Sequence, residues 1–247
     1  MVRVVIAGAC GRMGTRIHSI ARHDKLIKVV GLIETSASPD IGTTRDGCLV
    51  TADTGCLEHA DVLIDFTTPQ GVLQHLDSAA RCGVAMVIRV TGLSEGDRKK
   101  IARAARKIPV VFSPNMSIGV TLLFDLVREA ARTLTLKDAR ITEAHHVHKK
   151  DAPSGTAKRL AEIISEESGT PVSDITSIRE GEIIGDHRVV FETEFDTLVL
   201  EHSAKTRDIF AKGAVEAAKW VASRPRGLYG MNDVMRSVKR ASKRKKV

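Results

Sequence analysis

The sequence predicts an α/β protein, with a doubly wound parallel sheet in its N-terminal half and then a smaller α+β domain with a mixed or antiparallel sheet. Three observations carry that expectation. Short apolar runs alternate with amphipathic stretches over roughly the first 116 residues, the pattern of right-handed parallel crossovers. A glycine-rich turn joins the first strand to the first helix, and an acid closes the second strand. After Asn115 the alternation gives way to one long helix and several short strands separated by turn signals.

Residues 1–8 (MVRVVIAG) form a short β-branched run of the kind buried in parallel sheets. The run leads into Gly8-Ala9-Cys10-Gly11-Arg12-Met13-Gly14 and an amphipathic segment to about Arg22. Glycines there let the backbone turn tightly and approach a pyrophosphate, which the following helix N-terminus stabilises. The spacing is GxxGxxG rather than the commoner GxGxxG, so its context matters. A second strand at 27–32 ends in Ile33-Glu34, and Glu34 lies 20 residues beyond Gly14, where a carboxylate hydrogen-bonds ribose hydroxyls. A structural turn and a surface glutamate are the plainer reading, which strand, loop, helix, strand and acid together disfavour.

Residues 35–60 are irregular, with a short strand near 48–51. A buried strand at 61–66 precedes Thr67-Thr68-Pro69, and Pro69 suits the first turn of a helix running to about Arg81. A fourth main strand is expected at 85–90, ending in Thr91-Gly92, then a helix opened at Ser94 and reaching Lys107. A fifth strand at 109–113 ends in Pro114-Asn115. Gly8, Glu34, Phe66, Thr91 and Asn115 all fall at strand C-terminal ends, where ligand loops of a Rossmann domain belong.

Beyond Asn115, residues 118–134 read as a long helix with Val120, Leu123, Phe124, Val127 and Ala131 on one face. Strands are expected at 139–146, 175–180, 182–185, 188–193 and 198–204, and an amphipathic helix at 209–221. The division expected is 1–116 for dinucleotide binding, completed by helices within 209–247, and 117–208 for substrate binding and oligomerisation. Two lobes with a cleft follow from it.

The chain has 247 residues, 43% hydrophobic and 28% charged, ordinary for a globular protein. No apolar run spans a bilayer and no signal peptide is apparent, so a cytoplasmic location is expected. Cys10, Cys48, Cys56 and Cys82 show no CxxC and no dense framework, which points to free thiols. The net charge of +8 invites a nucleic-acid hypothesis. The basic excess, however, is concentrated in Arg236, Lys239, Arg240, Lys243, Arg244, Lys245 and Lys246, and aromatics make up only 3%. A solvated, partly frayed C-terminal helix explains that tail more simply.

Residues 143–156 (EAHHVHKKDAPSGT) gather His145, His146, His148, Lys149 and Lys150 within six positions, which is proton-transfer and cation chemistry. Ser154 is a good N-cap for a helix carrying Ala157, Leu160, Ala161, Ile163 and Ile164, and the N–H groups of Gly155 and Thr156 offer an anion site. The arrangement reads as a pocket for an acidic small molecule; a solvated basic loop before an ordinary helix is the alternative. Metal binding is a third reading. Adjacent histidines on a strand face opposite ways and no cysteine is near, so no metal is expected.

These motifs, with Asp65-Phe-Thr-Thr-Pro69, Ser113-Pro-Asn-Met116, Ser177-Ile-Arg179 and Gly227-Leu-Tyr229, resemble the 4-hydroxy-tetrahydrodipicolinate reductase (dihydrodipicolinate reductase) family of the diaminopimelate route to lysine. The resemblance covers nearly the whole chain, and residues 143–156 are its most specific part. It implies NADH- or NADPH-dependent reduction of a cyclic dicarboxylate imine, with hydride delivered to ring carbon C4 and the enamine protonated at C3. It also implies His145 as proton donor/acceptor, Lys149 as general acid, and His146, Ser154, Gly155 and Thr156 as substrate contacts. Cofactor contacts would fall on Gly8, Ala9, Cys10, Gly11, Arg12, Met13, Glu34, Phe66, Arg89, Val90, Thr91, Ser113, Pro114, Asn115 and Met116. A homotetramer built through the second-domain sheets is implied as well. Independently, a dianionic substrate suits the Lys149 ammonium and the helix-start N–H groups, and an imidazole near neutrality passes a proton either way.

Two departures from the family pattern matter. Arg89-Val90-Thr91-Gly92 stands where Gly-Thr-Thr-Gly is usual, which opens a second reading, a reductase of another imine or keto acid. Thr35 follows Glu34 where dual-cofactor members carry arginine, so NADH is expected to be preferred unless Arg12 or Arg45 reaches a 2′-phosphate. A nucleotide-sensing or nucleic-acid-binding protein on the same scaffold is the reading from a different class; it has no need of His145 and Lys149.

Overall fold

The computed structural model describes residues 1–236; the basic positions Lys239 to Lys246, expected as a frayed helix, lie outside the described residues. In chain order the elements are β1 (Val2–Ala7), α1 (Arg12–Ala21), β2 (Ile27–Ile33), β3 (Thr44–Arg45), β4 (Cys48–Thr51), a 3₁₀ turn (Thr54–His59), β5 (Val62–Asp65), α2 (Pro69–Cys82), β6 (Ala85–Ile88), α3 (Glu95–Ala104) and β7 (Pro109–Phe112). There follow α4 (Ile118–Thr133), β8 (Asp138–His145), α5 (Gly155–Ser168), β9 (Asp174–Arg179), β10 (Asp186–Glu192), β11 (Thr197–Ser203), α6 (Asp208–Val221) and β12 (Gly227–Tyr229). The chain divides into two compact units, Met1–Met116 with Asp208–Val247, and Ser117–Arg207.

The first unit is built on one sheet in the order β12-β7-β6-β5-β1-β2-β4-β3. Its neighbours are parallel except for the β3–β4 hairpin. From β1 the chain steps outward to β2, then returns to the other side of β1 with β5, so a crevice opens at the C-terminal ends of β1 and β5. Val4 to Ala7 of β1 and all of β5 and β6 are buried, which is why these strands read as continuous apolar runs rather than alternating ones. Leu57, Val72, Leu76 and Ile101 pack with Val5, Leu63 and Met86 into one core layer under α2 and α3. α6 packs on α1 and reaches β1, β5, β6 and β7. Its buried face is small, with Ala211, Gly213, Ala214, Ala217 and Ala218. A Cβ at Gly213 would collide with the carbonyl oxygen of Met116, so only glycine lets the helix seat there.

The second unit has the sheet order β11-β10-β8-β9, with β8–β9 parallel and the remaining pairs antiparallel. α4 and α5 pack together, and Leu123, Val127, Leu160, Ile163 and Ile164 from them bury Ile141, Val189 and Phe191 of the sheet. Along β8 the buried positions alternate as Ala139, Ile141, Glu143 and His145, so the period that builds the core carries an acid and an imidazole onto the same face.

Two expectations need correction, and an edge strand adds to them. Residues 182–185 are not a strand: Gly181 turns at φ 46° and the chain runs as a loop until β10 begins at Asp186. β6 stops at Ile88, leaving Arg89 and Val90 in the following loop. β12, a three-residue edge strand parallel to β7, was not foreseen. No helix among the described residues is long and apolar enough to cross a membrane.

Candidate active site

In the first unit, a cavity of about 600 Å3 opens at the C-terminal ends of β1, β2 and β5. Gly8, Gly11, Ile33, Glu34, Phe66, Thr67, Gln70, Gly71, Gln74 and His75 are among its lining residues. Gly8 takes φ 72°, a left-handed conformation that suits glycine, and the N–H groups of Gly8 and Ala9 both donate to the carbonyl of Ile33, at 2.9 and 3.2 Å. A Cβ at Gly14 would strike the carbonyl oxygen of Gly8, so the third glycine lets α1 press onto the turn. α1 starts at Gly11 with no side-chain cap and no acid in its first turn. That leaves the positive helix end for a ligand phosphate, and the turn fits a dinucleotide.

Glu34 Oε1 accepts from the N–H of Thr35 at 3.0 Å while its other oxygen faces the glycine turn. Arg45, a candidate for a 2′-phosphate, is paired with Asp40 at 3.1 Å; Arg12 is exposed at the start of α1. Asp65 is fully buried and accepts from the N–H and Oγ1 of Thr67, at 3.0 and 2.6 Å, and from Nδ1 of His75 at 2.7 Å.

Of the expected cofactor residues, Gly8, Gly11, Glu34 and Phe66 line this cavity. Ala9, Cys10, Arg12 and Met13 continue the turn into α1 but are not among its lining residues. Arg89, Val90 and Thr91 follow β6, and Ser113, Pro114, Asn115 and Met116 follow β7, at the same end of the sheet but outside the cavity lining. The Arg89 guanidinium lies 6.0 Å from the Phe66 ring centroid and 5.8 Å from that of Phe210. Ser113 Oγ donates to the carbonyl of Asn115 at 2.6 Å.

In the second unit, β8 ends at His145, and a loop carries His146, Lys149 and Asp151 to the start of α5. His145 Nδ1 is hydrogen-bonded to Glu143, and its ring meets that of His187 edge-on at 5.2 Å. Burial pushes His145 below the ordinary imidazole value; Glu143 opposes that shift, while Lys149 and Arg179 add to it. Lys149 Nζ donates to both oxygens of Asp151, at 2.7 and 2.8 Å. Ser154 caps α5 by accepting from the N–H of Ala157 at 3.2 Å, and its own N–H donates to Glu143 at 3.2 Å. Gly155 and Thr156 form the first turn of α5, and His146 is half-buried just past the strand. A neutral imidazole with one nitrogen fixed, beside an ammonium and a helix start, can hold an anion and move a proton.

Sequence reasoning missed Gln70, Gln74 and His75 around the first unit's cavity and His187 beside His145; Thr67, Thr68, Glu143 and Arg179 stand in its motifs with no role assigned to them. For Glu143 a signal exists: residues 143 and 145 share a face of any strand. For Asp65 and His75, ten positions apart across a loop and a helix, there is none.

A glycine turn with an acid ending the second strand is the pattern of dinucleotide-dependent oxidoreductases, and the second unit brings an imidazole, an ammonium and a helix start together. The chain matches the model of the dihydrodipicolinate reductase N-terminus over residues 2–116 and that of the C-terminus over residues 119–235. A protein of Anaeromyxobacter dehalogenans named 4-hydroxy-tetrahydrodipicolinate reductase is 40% identical, over 95% of this chain and 98% of its own. One of the same name from Methanopyrus kandleri is 40% identical over 97% and 98%. Among solved structures, a dipicolinate-bound dihydrodipicolinate reductase from Paenisporosarcina sp. TG-14 superposes with TM-score 0.78 at 23% identity, covering 93% of this chain and 97% of that one, and shares the fold. The chain belongs to the dihydrodipicolinate reductase family, oxidoreductases that use a nicotinamide cofactor.

Proposed function

We propose that the chain reduces 4-hydroxy-tetrahydrodipicolinate to tetrahydrodipicolinate, in the diaminopimelate route to lysine, with His145 and Lys149 as its proton-transfer residues. A bound reduced nicotinamide supplies the hydride. The glycine turn at Gly8–Gly14 and the uncapped start of α1 hold the pyrophosphate, and Glu34 holds the adenosine ribose. The 4-hydroxyl leaves as water to give the conjugated ring that accepts hydride at C4. Lys149 attracts a substrate carboxylate and donates the proton that completes reduction at C3, and Nε2 of His145 exchanges protons beside it. The start of α5, at Gly155 and Thr156, and His146 complete the anion site. The observation that carries the assignment is the fixed imidazole of His145 on the strand that delivers the Lys149 loop.

NADH is the preferred cofactor in this reading, because Glu34 repels a 2′-phosphate, Thr35 adds no charge and Arg45 is engaged by Asp40. We further propose a homotetramer through the open face of the second sheet, where Ile178 and Val199 are 39% exposed; sedimentation giving a mass other than four chains would overturn that. The redirected reductase receives no support from Arg89, which is held against two phenyl rings and does not line the nucleotide cavity.

The test is loss of reduced-nicotinamide absorbance with freshly generated substrate, in the intact protein and in His145→Ala and Lys149→Ala. Turnover that collapses in both variants while nucleotide binding survives supports the assignment. Undiminished turnover in His145→Ala overturns it. Dipicolinate, the ligand of the solved relative, is expected to inhibit the intact protein competitively with substrate.

A further inference from the structure

β8 and β9 run parallel, in a register that sets His145 opposite Arg179. Between them lies Glu143, fully buried, with its two oxygens engaged differently. Oε2 faces Nδ1 of His145. Oε1 accepts from Nη2 of Arg179 at 2.8 Å and from the N–H of Ser154 at 3.2 Å. The guanidinium goes on to the loop: Nη2 donates to the carbonyl of Asp151 at 2.6 Å, and Nε to that of Lys149 at 3.3 Å. A single partner would neutralise a buried carboxylate. Here the partner is spread over the acid and two loop carbonyls, a geometry open to the forked guanidinium and closed to a lysine.

We propose that Glu143 and Arg179 form a positioning pair: the carboxylate fixes the Nδ1–H form of His145, leaving Nε2 for the substrate, and the guanidinium ties that carboxylate to the loop bearing Lys149. The proposal rests on the reading of His145 and Lys149 as the proton-transfer residues. An ionised carboxylate only accepts, so the proton on Nδ1 is assigned by its partner. Nε2 is turned towards Gly185, where a Cβ would lie 3.0 Å away; the missing side chain keeps that nitrogen clear. The charged and titratable groups around the ring are Glu143 on its own strand, Arg179 on β9, His187 on β10, and Lys149 and Asp151 on the loop.

Glu143→Gln tests the pair by an inversion. The two donors at the Oε1 position require the amide oxygen there, which puts the amide NH2 against Nδ1 and moves the ring proton to Nε2. We expect kcat to fall by ~10²- to ~10⁴-fold, the loss typical of a wrong imidazole tautomer, with nucleotide affinity unchanged. The pH limb of kcat that belongs to the imidazole should move to lower pH, since the carboxylate that raises it is gone. Arg179→Lys keeps the charge but not the fork, and should retain more activity than Arg179→Ala while remaining below the intact protein.

A wild-type kcat and pH profile in Glu143→Gln, with His145→Ala inactive, overturns the positioning pair and leaves the site reading standing. Wild-type turnover in His145→Ala removes both. Should Glu143→Gln fail to fold, Arg179→Lys carries the same test, and an unaltered kcat and pH profile in it overturns the proposal.

Discussion

Glu34 Oε2 accepts a hydrogen bond from the backbone N–H of Cys10 at 3.0 Å, so the acid ending β2 is held across the glycine turn. A 2′-phosphate brought to that place meets a fixed negative charge, a repulsion of about 1 to 4 kcal/mol at 4 Å depending on local screening. The expected outcome is a higher kcat/KM with NADH than with NADPH. Thr35→Arg should narrow the ratio about tenfold or more. Steady-state kinetics with both cofactors check it, and an NADPH preference in the unaltered protein would contradict the role given to Glu34.

Gly185 faces Nε2 of His145, and a methyl group there would sit 3.0 Å from it. Gly185→Ala is therefore expected to turn the imidazole away from Glu143. Misplacement of a reacting group by about 1 Å costs on the order of 10²-fold in rate. Turnover should fall on that scale with NADH affinity intact. Full turnover would show that the ring tolerates displacement.

Arg89 stands between two phenyl rings, and contacts of this kind contribute roughly 0.5 to 2 kcal/mol. Replacing Arg89-Val90 with Gly-Thr should lower the melting temperature by several degrees and leave kcat/KM within a few-fold. A large gain of activity on the pathway substrate would instead revive the redirected-reductase reading.

Acid should unfold the second unit in two overlapping stages. Burial lowers His187 from 6.5 to about 4, so the unfolded chain takes up that proton first and stability falls as pH drops from about 6.5 through 4. Glu143 is opposed by burial, but hydrogen bonds from Arg179 and His145 prevail and lower it from 4.5 to about 2. Its stabilisation is present above about pH 4.5 and lost towards 2. Each contributes up to about 3 kcal/mol. Thermal melts against pH should lose the upper stage in His187→Gln and keep the lower one; identical curves for the two proteins would refute the assignment.

The parallel sheet was legible because its strands are buried on both faces and therefore uniformly apolar, as in Val4 to Ala7. Helix starts were legible where a side chain caps them: Ser154 on the N–H of Ala157, Ser94 on that of Asp97. β12 was not, since three residues at a sheet edge carry no period and take their strand form from β7. Residues 182–185 misled because Ile183 and Ile184 have strand-like character, whereas Gly181 and Gly185 serve a turn and a close approach to His145. The glycine turn and the His145 loop announce themselves by local spacing. Their supports, Asp65 with His75 and Glu143 with Arg179, are joined only by the fold.

The contact of Gly213 with Met116 has a consequence for the order in which the protein is assembled. α6 rests on a sheet whose strands β1 to β7 all precede residue 117. As the chain leaves the ribosome, that sheet emerges with the face later covered by α6 still open, and Ser117–Arg207, one uninterrupted stretch, is complete before the covering helix exists. The first unit is thus begun first and finished last, and a chain cut short before residue 208 exposes apolar sheet to whatever aggregation partners are near.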